Sequence, residues 1–214
     1  PKKMKSLKII TYGAELMDSE TLEGISSILP WVHFKQTYGM SEIGILKIKS
    51  ENSKSLWIKI GGDGVKKKII NNLLYLKTEN KMIGYLNNKS PFNKTGWYNT
   101  KDLVETRADG FIKIVGRKSG VISVGGLKIL PGEIERIALK NKNIKYCKAY
   151  GKDNPITGQH VEIICEPKNF SGNKEKLTNE LKESFKKELN ESFVPLKIKL
   201  KKIEISYRYK KSAN

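Results

Sequence analysis

The chain reads as a mixed α/β and α+β protein built in three pieces. Three features predict this. A strand–helix–strand run opens the sequence, short strands broken by glycine turns fill its middle, and helical periodicity returns only after Pro131 and Lys174. The expected boundaries are 1–46 for the tail of an α/β subdomain, 47–117 for a small distorted β-barrel, and 118–214 for a C-terminal α+β domain.

The first piece begins with a short apolar strand over residues 7–11 that runs into Tyr12-Gly13-Ala14-Glu15-Leu16. A helix follows, with Asp18 placed to cap its first turn and Leu22, Ile25 and Leu29 on one face. Residues 31–36 read as a second strand, ending at Tyr38-Gly39. In such α/β units the functional loops sit at the carboxyl ends of the strands. In the middle piece, residues 56–60 and 72–78 are apolar runs between turns such as Gly61-Gly62-Asp63-Gly64 and Ala108-Asp109-Gly110. Residues 111–115 form another strand, paired as a hairpin with 103–106. In the last piece Pro131 starts a helix over 131–139 with Ile134, Ile137 and Ala138 inward. A second helix over 174–189 repeats Leu177, Leu181, Phe185 and Leu189 at steps of four. Strands at 144–150, 161–166 and 198–205 complete the domain, and 153–158 is the loop between the first two. Glu133 and Glu135 fall early in the helix, where acids favour the positive end of its dipole.

The chemistry-bearing residues lie in two runs. Residues 96–135 read GWYNTKDLVETRADGFIKIVGRKSGVISVGGLKILPGEIE. They hold Asp102, the step Gly116-Arg117, the pair Gly125-Gly126, Lys128, and the helix opened by Pro131. Upstream stands Tyr38-Gly39-Met40-Ser41-Glu42. Asp102 and Arg117 are fifteen positions apart, and Arg117 and Lys128 eleven. This order and spacing resemble the adenylate-forming superfamily: acyl-CoA synthetases, peptide-synthetase adenylation domains and firefly-type luciferases. Met82-Ile83-Gly84-Tyr85-Leu86 is similar to the Gly-Tyr segment that precedes the Gly-Trp run in that family. The resemblance covers residues 1–211, and the part of the family that it matches is the C-terminal portion.

What the resemblance implies agrees with what the residue types can do. Adenylation joins a carboxylate to the α-phosphate of ATP, so a site must hold a purine, a ribose, a polyanion and Mg²⁺. The Tyr38 ring can stack on adenine, with Gly39 leaving room, and Gly13, Ala14 and Glu15 match the adenine-side loop. Ser41 can donate to a phosphate oxygen. Glu42 offers a hard oxygen to Mg²⁺, which takes one or two protein carboxylates and the nucleotide's phosphates. Asp102 suits two ribose hydroxyls, and Arg117 can fork onto ribose or phosphate oxygens. Positioning and charge neutralisation then carry the reaction.

The family's last domain is a mobile lid. Its hinge position falls on Ser119, followed by Gly120, where small residues absorb a rotation. Gly125-Gly126 would line a thiol tunnel, beside Lys128. Counting from Val194-Pro195 places the adenylating lysine at Lys211, with Lys210 one position away. Three departures stand out: Lys101 replaces the Gly before Asp102, Ser123 replaces a Lys, and the run from Ile205 to Lys211 lacks the family's Pro and Gly. No Ser/Thr/Gly-rich phosphate loop occurs in these residues, and the first residue is Pro1 rather than Met. The expectation is the C-terminal part of a longer acid–thiol ligase, inactive alone. It would use ATP, a small carboxylic acid, and CoA or a carrier protein's phosphopantetheine as the thiol acceptor. The alternative is a non-catalytic adenylate-binding or interaction module of the same fold.

Composition narrows the classes further. Lys plus Arg number 41 against 22 Asp plus Glu, a net charge of +19. The lysines are spread evenly, seldom interleave with aromatics, and fit no nucleic-acid-binding motif. The excess therefore reads as solvated surface that attracts anionic ligands rather than nucleic acid. No run of eighteen apolar residues or signal segment occurs, so a cytoplasmic chain without a membrane span is expected. Cys147 and Cys165 lack metal-ligand spacing and read as buried thiols. His33 and His160 have no nucleophile partner.

Overall fold

The computed structural model describes residues 4–169 and 171–204. The chain divides into two compact units, Pro1–Lys118 and Ser119–Asn214.

In the first unit, β1 (Ile9–Tyr12) and β2 (His33–Gln36) are parallel, with Ile9 opposite His33, and α1 (Ser19–Ile28) connects them. The Asp18 carboxylate accepts from the Thr21 N–H at 2.7 Å, satisfying one of the unpaired donors of the first turn. Leu22 and Leu29 are buried with Val32 and Phe34. Ile25, expected on this face, is 36% exposed, and Ser26 is buried instead. Positions 22, 26 and 29 line up at helical spacing, which turns residue 25 to the flank. Ser26 answers its burial by donating to the Ser53 carbonyl at 3.2 Å. The strand expected from Trp31 starts at His33, because the Val32 N–H closes a turn onto Leu29 O.

β3 (Gly39–Met40) and β4 (Gly44–Ile45) make a short hairpin. Then come β5 (Lys47–Ser50), β6 (Ile58–Gly61), β7 (Lys66–Ile70), β8 (Leu73–Lys77), β9 (Tyr98–Thr106) and β10 (Ile112–Arg117). Their order is β5-β6-β10-β9-β8-β7, antiparallel throughout, and the sheet curls into a half-barrel. Asn71 and Asn72, both at positive φ, form the tight turn joining β7 to β8. The concave side buries Ile43, Leu46, Ile58, Ile60, Leu74, Leu76, Val104 and Ile112.

After a 3-10 turn at Lys118–Gly120 the second unit contains β11 (Ile122–Val124), β12 (Leu127–Ile129), α2 (Pro131–Leu139), β13 (Ile144–Asn154), β14 (Gly158–Pro167), α3 (Lys174–Glu188) and β15 (Lys197–Leu200). The strands run β12-β11-β14-β13, with β15 parallel beside β14. Ile134, Ile137 and Ala138 of α2 and Leu177, Leu181 and Phe185 of α3 fill one core with Val161, Ile163 and Cys165. β13 and β14 are longer than the sequence suggests, so the expected loop 153–158 shrinks to a turn at residues 155–157. Cys147 and Cys165 face one another across that pair as buried thiols in no disulfide, and burial pushes the Cys165 thiol up to about 12. Of the two early acids in α2, Glu133 accepts from the Leu130 N–H at 3.1 Å and so helps to start the helix. Glu135 instead accepts from the Ala149 N–H at 2.9 Å and ties α2 to β13.

Candidate functional site

The first unit brings four of the sequence-predicted residues, Tyr38, Glu42, Asp102 and Arg117, into one polar network. Asp102 and Arg117 are cross-strand neighbours on β9 and β10, and Arg117 Nε donates to Asp102 Oδ1 at 2.9 Å. Their juxtaposition depends on a bulge. Pairing is regular from Ile112 opposite Thr106 to Ile114 opposite Val104, but then Gly116 faces Leu103 and Arg117 faces Asp102. Val115 is the extra residue. Were it paired regularly with Leu103, Asp102 would face Gly116, and Arg117 would project from the other side of the sheet.

A second irregularity shapes Asp102 itself. Against β8, Tyr75 faces Asn99 and Leu73 faces Leu103, so three residues of β9 stand opposite Leu74 alone. Lys101 takes φ +61° there, a left-handed conformation that costs an L-residue roughly 1–2 kcal/mol. That is the physical sense of a glycine at this place. Thr100 Oγ1 donates to Leu74 O at 2.9 Å and accepts from the Asp102 N–H at 3.1 Å, so the bulge leaves these groups paired.

Asp102 is 5% exposed. Its Oδ2 accepts from the Tyr38 hydroxyl at 2.5 Å. Burial, and then the Asp102 charge, push the Tyr38 phenol far above its ordinary range. The Tyr38 ring is only 9% exposed and packs in the half-barrel core, so it meets the site through its hydroxyl. Gly39 has a structural duty: a Cβ there would meet Gly44 O at 2.6 Å across the β3–β4 hairpin. Gly13 is likewise required where the chain passes Thr37, since a Cβ would collide with Thr37 Oγ1. Gly13, Ala14 (φ +68°) and Glu15 form the loop leaving β1. Thr37 donates twice to Tyr12 O, from N–H at 2.7 Å and from its hydroxyl at 3.0 Å. These bonds tie the carboxyl ends of the two parallel strands together.

Ser41 and Glu42 occupy the tip of the β3–β4 hairpin, where the Ile43 N–H closes the turn onto Met40 O. Glu42 Oε1 accepts from the Tyr85 hydroxyl at 2.5 Å. Burial raises the Glu42 carboxyl, but hydrogen bonds from Tyr85, its own backbone and Tyr98 outweigh it and hold the group below its usual range. Burial, and then Glu42, push the Tyr98 phenol up to about 12. The Arg117 charge reaches Glu42, Tyr98 and Tyr38 as well as Asp102. One guanidinium charge thus acts on both carboxylates. Among the described residues no group of three or more His, Cys, Asp or Glu could hold a metal ion alone. Glu42 by itself fits Mg²⁺ that brings its own nucleotide phosphates, which is the usual way Mg²⁺ is bound. Tyr85, Tyr98 and Thr100 were not singled out from the sequence. Tyr85 and Tyr98 do stand in the Gly-Tyr and Gly-Trp-Tyr runs, and that is the signal that could have found them.

The second unit carries the remaining residues. Gly125 (φ +57°) and Gly126 (φ +84°) are the two-residue turn between β11 and β12, a type I′ geometry that demands positive φ at both positions. A Cβ at either would meet nothing within 4 Å. Lys128 is exposed on β12 opposite Ser123. Ser119 and Gly120 lie in the 3-10 turn at the unit boundary. Lys210 and Lys211 lie outside the described residues. A separate cluster surrounds Glu162 on β14, which is 2% exposed. It accepts from Lys199 Nζ at 2.5 Å and Tyr150 OH at 2.8 Å, with Lys152 Nζ at 3.6 Å and His160 Nε2 at 3.5 Å. The hydrogen bond from Lys199 leads in holding Glu162 down at about 2. Burial opposes it, and Tyr150 and His160 add to it.

No helix among the described residues is long and apolar enough to cross a membrane. None of the known protein-family models matches the chain. Its sequence is similar to the acyl-CoA synthetase ALT10 of Alternaria alternata, at 28% identity over 127 residues, which is 58% of this chain and 22% of that protein. It is also similar to the medium/long-chain-fatty-acid–[acyl-carrier-protein] ligase FadD10 of Mycobacterium tuberculosis, at 40% identity over 80 residues, 36% of this chain and 15% of that one. The chain therefore spans only 15–22% of the length of these relatives. In fold it is similar to ATP-bound MatB from Rhodopseudomonas palustris, with a TM-score of 0.80 at 17% identity, covering 93% of this chain and 42% of that one.

Proposed function

The chain resembles the adenylate-forming superfamily in sequence and in fold, consistent with its C-terminal portion, and from that premise we propose ATP-dependent carboxylate activation. A carboxylic acid attacks the α-phosphorus of ATP to give an acyl-adenylate and pyrophosphate. A thiol, of CoA or a carrier protein's phosphopantetheine, then displaces AMP to give a thioester. The observation that carries this reading is the juxtaposition of Asp102, Arg117 and Tyr38 at one point of the half-barrel.

In this reading Asp102 takes the ribose hydroxyls, using lone pairs that Tyr38 and Arg117 leave open. Arg117 forks onto ribose or phosphate oxygens from a position already set by Asp102. The loop of Gly13, Ala14 and Glu15 and the Tyr38-Gly39 step border the purine, and Ser41 donates to a phosphate. Glu42 would hold Mg²⁺, which when bound neutralises charge on the departing pyrophosphate. Lys211 neutralises the reacting carboxylate and α-phosphate in the first step, while Gly125, Gly126 and Lys128 attend the thiol in the second. Ser119 and Gly120 form the hinge between the two. The boundaries 1–46, 47–117 and 118–214 then separate adenylate-binding tail, half-barrel and lid. We place the protein in the cytoplasm, where two thiols outside any disulfide remain reduced.

ATP–pyrophosphate exchange over a panel of carboxylic acids, by the polypeptide that carries this chain, tests the reading. Acid-dependent exchange is expected. Nucleotide binding without exchange for any acid would leave a non-catalytic adenylate-binding module, a reading favoured by the missing Pro and Gly near Lys211. The 214-residue chain alone should give no exchange, because these residues contain no Gly-rich phosphate loop; robust turnover by it would overturn the proposal of a C-terminal portion.

A further inference from the structure

The segment 81–86 is fastened to Glu42 twice. The Met82 N–H donates to Glu42 O at 3.0 Å, and the Tyr85 hydroxyl donates to Glu42 Oε1 at 2.5 Å. Tyr98, from β9, is the other phenol that helps to hold this carboxyl below its usual range. Elsewhere the segment is open. Ile83 and Leu86 are fully exposed and Tyr85 is 43% exposed, so burial does not explain where the Tyr85 hydroxyl points. A tip residue on a three-residue hairpin loop would otherwise sample several rotamers, and a long carboxylate side chain loses much freedom when fixed.

We propose that Tyr85 is a positioning residue that fixes the Glu42 carboxylate for a divalent cation arriving with a nucleoside triphosphate. The proposal rests on the reading of Glu42 given above. The Tyr85 hydroxyl occupies one oxygen and leaves acceptor capacity on the carboxylate for the cation. It acts as the outer partners of metal-ligating side chains do, by orienting the ligand before the metal arrives. Tyr85 holds the carboxylate from a loop 43 positions away in sequence, so the cation's ligand and the loop share one hydrogen bond.

The test measures the protein-bound fraction of Mn²⁺–ATP by equilibrium dialysis against the polypeptide that carries this chain, together with binding of metal-free AMP. The variants are Tyr85→Phe and Glu42→Gln. Tyr85→Phe is expected to weaken Mn²⁺–ATP binding about tenfold, at the lower end of the losses seen when a ligand's outer partner is removed. Metal-free AMP binding and the melting temperature should stay at wild-type values. Glu42→Gln should weaken Mn²⁺–ATP binding at least as much. If Glu42→Gln is impaired and Tyr85→Phe binds Mn²⁺–ATP like wild type, the positioning role is overturned. An equal loss of metal-free AMP binding in Tyr85→Phe overturns it too, because that would be a general structural effect. If wild type retains no Mn²⁺, or Glu42→Gln is indistinguishable from wild type, the reading of Glu42 itself fails and takes this one with it.

Discussion

Asp102 has two duties that pull on the same atoms. Its carboxylate satisfies the buried Tyr38 hydroxyl and the Arg117 guanidinium, and in the proposed reaction it also takes a ribose. Replacing it should therefore cost stability as well as binding. Asp102→Ala strands the Tyr38 hydroxyl, and an unpaired buried donor costs about 1–3 kcal/mol. A urea titration should show a loss of that size, and Tyr38→Phe in the Asp102→Ala background should recover part of it. If the single variant unfolds like wild type, the hydroxyl has found another partner. Lys101 invites the opposite experiment. Its φ of +61° is relieved by Lys101→Gly, set against the greater chain entropy of glycine when unfolded. The expected gain is up to about 1 kcal/mol in the same titration, and a loss would mean that the Lys101 side chain contributes more than its backbone strain costs.

Among the elements, the β13–β14–β15 sheet holds the most acid-sensitive group. Glu162 lies far below its ordinary 4.5, at about 2 in the folded chain. A depressed carboxyl contributes stability that is fully present above the unfolded value and is lost as pH falls toward the folded one. The second unit should accordingly lose stability between about pH 4.5 and about pH 2. Glu162→Gln should be less stable at neutral pH but show a flatter decline across that window, followed by circular dichroism. An unchanged slope would assign the acid sensitivity to the other paired carboxylates, such as Glu166 with Lys145. The β11–β12 hairpin shows a different constraint. Its two glycines are required by a type I′ turn whatever else they do, so their presence is explained before any thiol is invoked.

For the molecule as a whole, the proposed two-step reaction asks one domain to serve two half-reactions. In the polypeptide that carries this chain, Lys211→Ala should slow acyl-adenylate formation and spare thioester formation from supplied acyl-adenylate. Gly126→Trp should do the reverse, with Gly126→Asn as a control, since Asn tolerates the turn's backbone and adds far less bulk than Trp. If Lys210→Ala carries the first effect instead, the register near the C-terminus is displaced by one. If neither lysine matters, the non-catalytic alternative stands. In the proposed reading the physical basis would be a two-state rotation at Ser119-Gly120, each state presenting a different face of the domain.

Several features of this protein were legible in its residues alone. The inward faces of α2 and α3 follow from helical spacing, and Asp18 caps α1 because its acceptor lies within one turn of the donor. The order and spacing of Tyr38, Glu42, Asp102 and Arg117 carry the family resemblance, and both can be read directly from the sequence. Other features depended on the fold. That Arg117 reaches Asp102 rests on the bulge at Val115, and that Tyr85 meets Glu42 rests on a loop crossing to a distant hairpin. The same holds for Ser26 taking the buried place expected for Ile25. Caps and tight turns are settled by interactions within a few residues, so sequence by itself determines them. Which strand pairs with which, and in what register, is settled by the packing of residues far apart in the chain, and only the tertiary structure decides it.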